Sequence, residues 1–160
     1  LARSGIEVDE ALIRTGLRRA KWPGRLEWCS GSPSFLFDAA HNAAGCEALG
    51  RYLDDLAFPG KVVLLFGAMR EKDHRRMLEA FDDRVAKRIY VSSSVGRSQH
   101  AERFRHIRKG TVARSVRDGL ARARRAAGPD GLVVVAGSIF VVSEVRALVK
   151  NSRTDPPIAM

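Results

Sequence analysis

Three short polar stretches in this 160-residue chain hold residues that a plain turn does not require. The first is Asp38-Ala39-Ala40-His41-Asn42, directly after the apolar run Phe35-Leu36-Phe37. A carboxylate in that place can hold a pair of ribose hydroxyls. An imidazole, together with the bare amides of a helix start, can hold an anion. The same residues also suit a plainer role, in which Asp38 and Asn42 only cap a helix and His41 is incidentally exposed. The second stretch is Gly67-Ala68-Met69-Arg70-Glu71-Lys72-Asp73. There Gly67 permits a tight exit from a strand, Asp73 can cap the next helix, and Lys72 either faces a phosphate or belongs to a solvated loop. In the third, Gly137-Ser138, amides and a hydroxyl suit a carboxylate or phosphate as well as they suit a helix cap.

Other candidates point to structure instead. His74, His100 and His106 lack metal-like spacing to one another or to the cysteines, which favours surface or packing roles. Cys29 and Cys46 read as small apolar fillers rather than nucleophiles. Arg114, Arg117, Arg122, Arg124 and Arg125 do not gather on one helical face, and no aromatics interleave them for base stacking. No Gly-x-x-x-x-Gly-Lys-Ser/Thr loop is present to cradle a triphosphate. A Gly-x-Gly-x-x-Gly fingerprint after a strand is missing as well, so a dinucleotide site is unsupported. If the chain meets ATP, it does so as one jaw of a larger site.

The elements that must place these residues alternate. Residues 9–20 have helical spacing (Leu12, Ile13, Leu17, Ala20) with Asp9 as cap, and Trp22-Pro23-Gly24 breaks the pattern. Residues 25–30 and 34–38 read as a strand pair around Gly31-Ser32-Pro33. Residues 42–56 are helical, with Leu49, Leu53 and Leu56 on one stripe. The run 62–66 is apolar throughout, the mark of a strand buried on both faces. A helix over 73–81 points Met77, Leu78 and Phe81 inward, and a strand covers 88–91. Residues 92–109 are polar with weak periodicity, and 112–126 read as an arginine-rich helix. A second apolar strand at 132–136 and a helix at 139–149 close the pattern. Strands alternating with helices imply βαβ units. The fold class is therefore α/β, a Rossmann-like three-layer domain over residues 1–150 with a mostly parallel, mixed sheet flanked by helices. Residues 151–160, with Pro156-Pro157, read as a flexible tail.

Composition narrows the classes further. The length suits one domain, and 45% hydrophobic residues suffice for a core. No apolar run approaches the roughly 20 residues that cross a bilayer. Lys+Arg 28 against Asp+Glu 18 gives +10, which favours anionic partners without choosing between nucleic acid and phosphorylated small molecules. Two cysteines are too few for a disulfide scaffold, so reduced thiols in a cytoplasmic protein are expected. The start at Leu1, with no secretory signal, suggests a piece of a longer protein.

Four motifs in order, from Trp22 to about Arg146, give the chain a resemblance to the C-terminal domain of folylpolyglutamate synthase/dihydrofolate synthase, in the Mur ligase superfamily. Trp22-Pro23-Gly24-Arg25 is similar to the family's Trp-Pro-Gly-Arg, and Asp38-Ala39-Ala40-His41-Asn42-Ala43 to its Asp-Gly-Ala-His-Asn-Pro. Gly67 to Asp73 is similar to Gly-x-x-x-Asp-Lys-Asp. Gly137-Ser138-Ile139-Phe140, followed by Glu144-Val145-Arg146, resembles the closing Gly-Ser-Leu-Tyr segment and its helix. Ala39 in place of glycine matters only if that position needs a positive φ. Ala43 in place of proline loses some rigidity but no chemistry.

The resemblance implies an enzyme that activates a substrate carboxylate with ATP to an acyl phosphate, which the amino group of L-glutamate then attacks. It implies that Arg25 and Asp38 contact ATP, with Asp38 on the ribose hydroxyls. His41 and Ser138 would lie at the reacting region and help position glutamate. A separate N-terminal domain, absent from this chain, would hold the P-loop, Mg2+ and most of the folate or dihydropteroate site. The isolated chain is then expected to be inactive, and the parent cytoplasmic and monomeric, with neither membrane nor nucleic acid as partner. Two rivals remain: the matching domain of a peptidoglycan Mur ligase, and a basic nucleic-acid-binding module supported only by the net charge.

Overall fold

A computed structural model describes residues 9–20 and 22–150. The tail at 151–160 lies outside the described residues. In chain order the first elements are α1 (Glu10–Arg19), β1 (Glu27–Cys29), β2 (Ser34–Phe37), α2 (Ala43–Leu56), β3 (Val62–Phe66) and α3 (His74–Glu79). Then follow β4 (Lys87–Tyr90), α4 (Ala101–Arg105), β5 (Thr111–Val112), α5 (Val116–Ala127), β6 (Leu132–Ala136) and α6 (Ile139–Lys150).

One six-stranded sheet runs in the order β1-β2-β6-β3-β4-β5. Every neighbouring pair is parallel except β1 with β2, whose antiparallel register sets Glu27 opposite Phe37. Successive side chains on a strand face opposite sides, so the apolar runs at 62–66 and 132–136 split between two cores. Leu36, Leu64, Phe66, Leu132 and Val134 join α2, α3 and α4 on one face. Phe35, Phe37, Val63, Leu65, Val133 and Val135 join α5 and α6 on the other. All five residues of β6 are fully buried, as a central parallel strand requires. This is the α/β three-layer class that the alternation implied.

Two readings of the sequence need correction. The helix expected over 112–126 begins at Val116, because residues 111–112 pair with β4 and Ser115 caps the helix, its Oγ accepting from the Asp118 amide at 3.1 Å. The polar stretch 92–109 contains a five-residue helix, α4, too short for periodicity to reveal. Its Phe104 is fully buried against Phe66, His74 and Tyr90.

Candidate functional site

All three polar stretches meet at the carboxyl edge of β2, β6 and β3. The Asp38 amide donates to Val135 O (3.0 Å), Gly137 N to Ala40 O (2.9 Å) and Gly67 N to Ala136 O (3.4 Å). Gly137 sits at φ +103, where a Cβ would stand 2.6 Å from Gly67 O, so glycine alone allows the backbones this close. Adjacent strands β2 and β6 send their helices to opposite faces, α2 to one core and α6 to the other. A crevice at such a switch point is where open α/β sheets receive ligands.

Asp38 forms the centre of this corner. It is 8% exposed, its Oδ2 accepts from Leu26 N at 2.9 Å, and its Oδ1 accepts from Ala40 N at 2.8 Å. The helix cap is Asn42 alone, whose Oδ1 accepts from Gly45 N at 2.8 Å. A carboxylate has about four acceptor sites; two are occupied, which leaves capacity for a ligand's hydroxyls. Ala39 keeps an ordinary backbone conformation, so the glycine-to-alanine departure costs nothing. Its amide donates to Gly24 O at 2.7 Å, locking the 22–26 turn onto this junction.

That turn delivers Arg25. Its side chain is exposed and forms no hydrogen bond or ion pair among the described residues, so its charge stays available. The exposed His41 ring lies with Nδ1 3.0 Å from Ala39 O. A carbonyl only accepts, so Nδ1 bears the proton and donates to it. Ser138 is 1% exposed, and its Oγ accepts from Phe140 N at 3.2 Å, a cap at the start of α6. Charge also reaches inward: burial, aided by the Asp38 and Glu47 carboxylates, pushes the Cys46 thiol up to about 12, consistent with an inert filler.

At the second stretch, Asp73 caps α3 as expected, accepting from Arg76 N at 3.1 Å. Lys72 Nζ lies 3.9 Å from the Glu71 carboxylate. Arg70 is spent on the loop after β4, donating to Ser98 O (3.2 Å) and Gly96 O (2.6 Å). His74 is buried, with Nε2 2.8 Å from Met69 O and its ring edge-on to Phe104, a packing role. Among the described residues no group of three or more His, Cys, Asp or Glu side chains could hold a metal ion.

Sequence reasoning missed Glu27. Its Oε2 accepts from Gly24 N at 2.7 Å, and its carboxylate pairs with Arg146 (2.8 Å) and Lys150 on α6. Burial alone would push this carboxyl up. Hydrogen bonds from Arg146, Lys150 and the Gly24 amide, with the Arg146 charge, outweigh it and hold the group at about 2. No sequence signal links residues 119 positions apart.

With these features the chain belongs to the Mur ligase family, matching its glutamate ligase domain over residues 24–139. Its relatives narrow the branch. It is 32% identical over 156 residues to the dihydrofolate synthase/folylpolyglutamate synthase of Escherichia coli, covering 96% of this chain and 37% of that protein. A probable bifunctional folylpolyglutamate synthase/dihydropteroate synthase of Haloferax volcanii is 34% identical over 146 residues, 88% of this chain and 17% of that protein. Among solved structures, E. coli FolC in complex with DHPP and ADP superposes with a TM-score of 0.84 at 30% identity, over 92% of this chain and 36% of that one. The Yersinia pestis folylpolyglutamate synthase/dihydrofolate synthase with Mn, AMPPNP and L-glutamate gives 0.82 at 26% identity, over the same shares of each chain. This chain thus spans under two fifths of the length of these relatives. The resemblance read from the four motifs is borne out. The cell-wall alternative has less support, since these relatives bear folate-enzyme names.

Proposed function

We propose that this chain is the glutamate ligase domain of an ATP-dependent folylpolyglutamate synthase/dihydrofolate synthase, which joins L-glutamate to a folate or pteroate carboxylate. The observation that carries this reading is the placement of Asp38 against the turn that bears Arg25. A nearly buried carboxylate with unused acceptor capacity is backbone-locked to a turn bearing a cation with no partner among the described residues, at the switch point between β2 and β6. Neighbouring structures of the same fold contain ADP, or AMPPNP with L-glutamate.

In this reading Asp38 accepts from the ribose hydroxyls, and Arg25 meets the nucleotide's phosphates or ribose. ATP phosphorylates the folate carboxylate, giving an acyl phosphate and ADP. The amine of glutamate attacks the acyl carbon, phosphate departs, and an amide forms. The exposed His41, and Ser138, help position glutamate. Bringing two substrates together in the right orientation supplies much of such a rate gain. A cation delivered by closure stabilises the charge that develops, and closure keeps water from the acyl phosphate. A P-loop, Mg2+ and most of the folate site belong to a second domain of the parent enzyme, which we take to be cytoplasmic and monomeric.

The test is a substrate panel on the full-length parent. ADP release that requires both L-glutamate and a folate or dihydropteroate is the expected result. Turnover of a UDP-muramoyl peptide without any folate turnover would overturn the reading in favour of a cell-wall ligase.

A further inference from the structure

The turn that presents Arg25 is not relaxed by itself. Gly24 sits at φ +73, and Leu26, which has a side chain, at φ +42. A lone non-glycine residue in the left-handed region persists only where its surroundings over-determine it. Here the constraints come from three directions. Asp38 accepts from Leu26 N, and Gly24 O accepts from Ala39 N, both on the β2 side. Glu27 accepts from Gly24 N at 2.7 Å. Glu27 is in turn gripped from α6, across the sheet edge, by Arg146 Nε at 2.8 Å and by Lys150. The Val142 side chain of α6 approaches as well, since a Cβ on Gly24 would stand 3.1 Å from Val142 Cγ1. The segment bearing Arg25 is thus strung between the helix that begins at Ser138 and the strand that ends at Asp38.

We propose that Glu27 is a positioning residue. Braced by Arg146 and Lys150, it holds the 22–26 turn so that Arg25 is presented beside Asp38, and it acts on ATP use through Arg25 rather than by touching substrate. This rests on the function proposed above, because Arg25 matters to catalysis only if the corner holds a nucleotide. The brace also ties Arg25 to α6, so both flanks of the crevice share one support.

Two measurements decide it. In the 160-residue chain, Glu27→Gln should speed amide hydrogen exchange at Leu26 and Ala39 about tenfold, while Leu36 and Val134 in the central strands stay unchanged. Unchanged exchange at Leu26 and Ala39 overturns the proposal. In the full-length ligase, Glu27→Gln should raise KM for ATP about tenfold with kcat within about twofold. In an Arg25→Ala background it should add less than about twofold, because the two residues act as one unit. An equal effect in both backgrounds means a merely structural role and overturns the proposal. If Glu27→Gln does not fold, the Arg146→Met, Lys150→Met pair, which frees Glu27 while leaving it on Gly24, is judged by the same readouts. Failure is traceable: Arg25→Ala with wild-type ATP kinetics sinks the function reading and the inference with it. A defective Arg25→Ala beside a silent Glu27→Gln sinks the inference alone.

Discussion

Two regions of this domain are rich in charge and use it in opposite ways. In the arginine-rich segment 101–125, charges answer one another. Arg105 pairs with Glu102 at 2.8 Å, Arg108 with Asp82 at 3.0 Å, Arg122 with Asp118 at 2.9 Å, and Arg124 lies over the Phe35 ring at 5.4 Å. At the corner of residues 22–42 charge is scarce: Glu27 pairs with Arg146 and Lys150, whereas Asp38 is held by two amides and Arg25 has no partner among the described residues. Part of the charge in the segment that draws attention by composition is thus already paired, and the segment reads as scaffold. The corner has unsatisfied capacity held in a backbone frame, the kind of arrangement that electrostatic catalysis needs. Charge density is a poor guide to function; unpaired charge on a fixed frame is a better one.

The sharpest way to break this contrast is to strike each region at its anchor. Phe104 is the arginine-rich segment's root in the core, fully buried among Phe66, His74 and Tyr90. Phe104→Ala should lower stability by about 3–5 kcal/mol in urea denaturation, while the ATP KM of full-length enzyme that remains folded stays at the wild-type value. A stability loss below about 1 kcal/mol would mean the segment is not scaffold. Asp38→Ala should impair ATP use strongly, but it also strands the Leu26 and Ala40 amides, at about 1–3 kcal/mol for each one left unpaired. Asp38→Asn is the cleaner probe, since its one remaining oxygen still serves one amide. It should cut kcat/KM for ATP about a hundredfold, near 2.7 kcal/mol of transition-state stabilisation. Wild-type kinetics in that variant would remove the ribose role.

Acid distinguishes the regions next. The Glu27 carboxyl is held at about 2, against 4.5 for the free group, by Arg146, Lys150 and the Gly24 amide. A depressed carboxyl contributes stability that is fully present above its unfolded value and is lost as pH falls through its folded value. The stability difference between wild type and Glu27→Gln should therefore be constant above about pH 4.5 and shrink progressively toward about pH 2. Urea midpoints measured across that window check it, and a difference that persists unchanged at pH 2 would show that the brace is not ionic.

Much of the fold was legible because burial writes itself into sequence. The runs at 62–66 and 132–136 have no polar face, which only central parallel strands tolerate, and both lie in the middle of the sheet. The Asp38 and Gly137-Ser138 stretches were legible as junctions because each follows such a strand. Their union was not: strand order places β6 between β2 and β3, and no local pattern encodes that. The start of α5 was readable in principle. Ser115 serves the Asp118 amide and Asp118 serves the Arg114 amide, a reciprocal cap whose Ser-x-x-Asp spacing marks the boundary. Helical periodicity running back to Val112 hid it. Glu27 carries no local signal of its role, since that role depends on an arginine 119 positions further along the chain.

The smallest effect expected is also the one that most directly tests whether charge density matters. Arg122 and Arg125 stand on α5, far in the chain from the corner, and their type alone would suit a polyanion. Arg122 already lends its guanidinium to Asp118 one turn earlier, a helix pair of the kind worth about 0.3–0.5 kcal/mol. Replacing both with glutamine removes two of the ten surplus positive charges, yet touches neither core nor corner. Stability should therefore move by less than about 1 kcal/mol, and ATP kinetics of the full-length ligase should stay within about twofold. The isolated chain should meanwhile show only weak nucleic-acid binding, lost as salt rises in proportion to the few phosphates contacted. Tight RNA or DNA binding abolished by these two substitutions, in a ligase indifferent to Asp38→Asn, would invert the comparison and make the arginine-rich face the functional one.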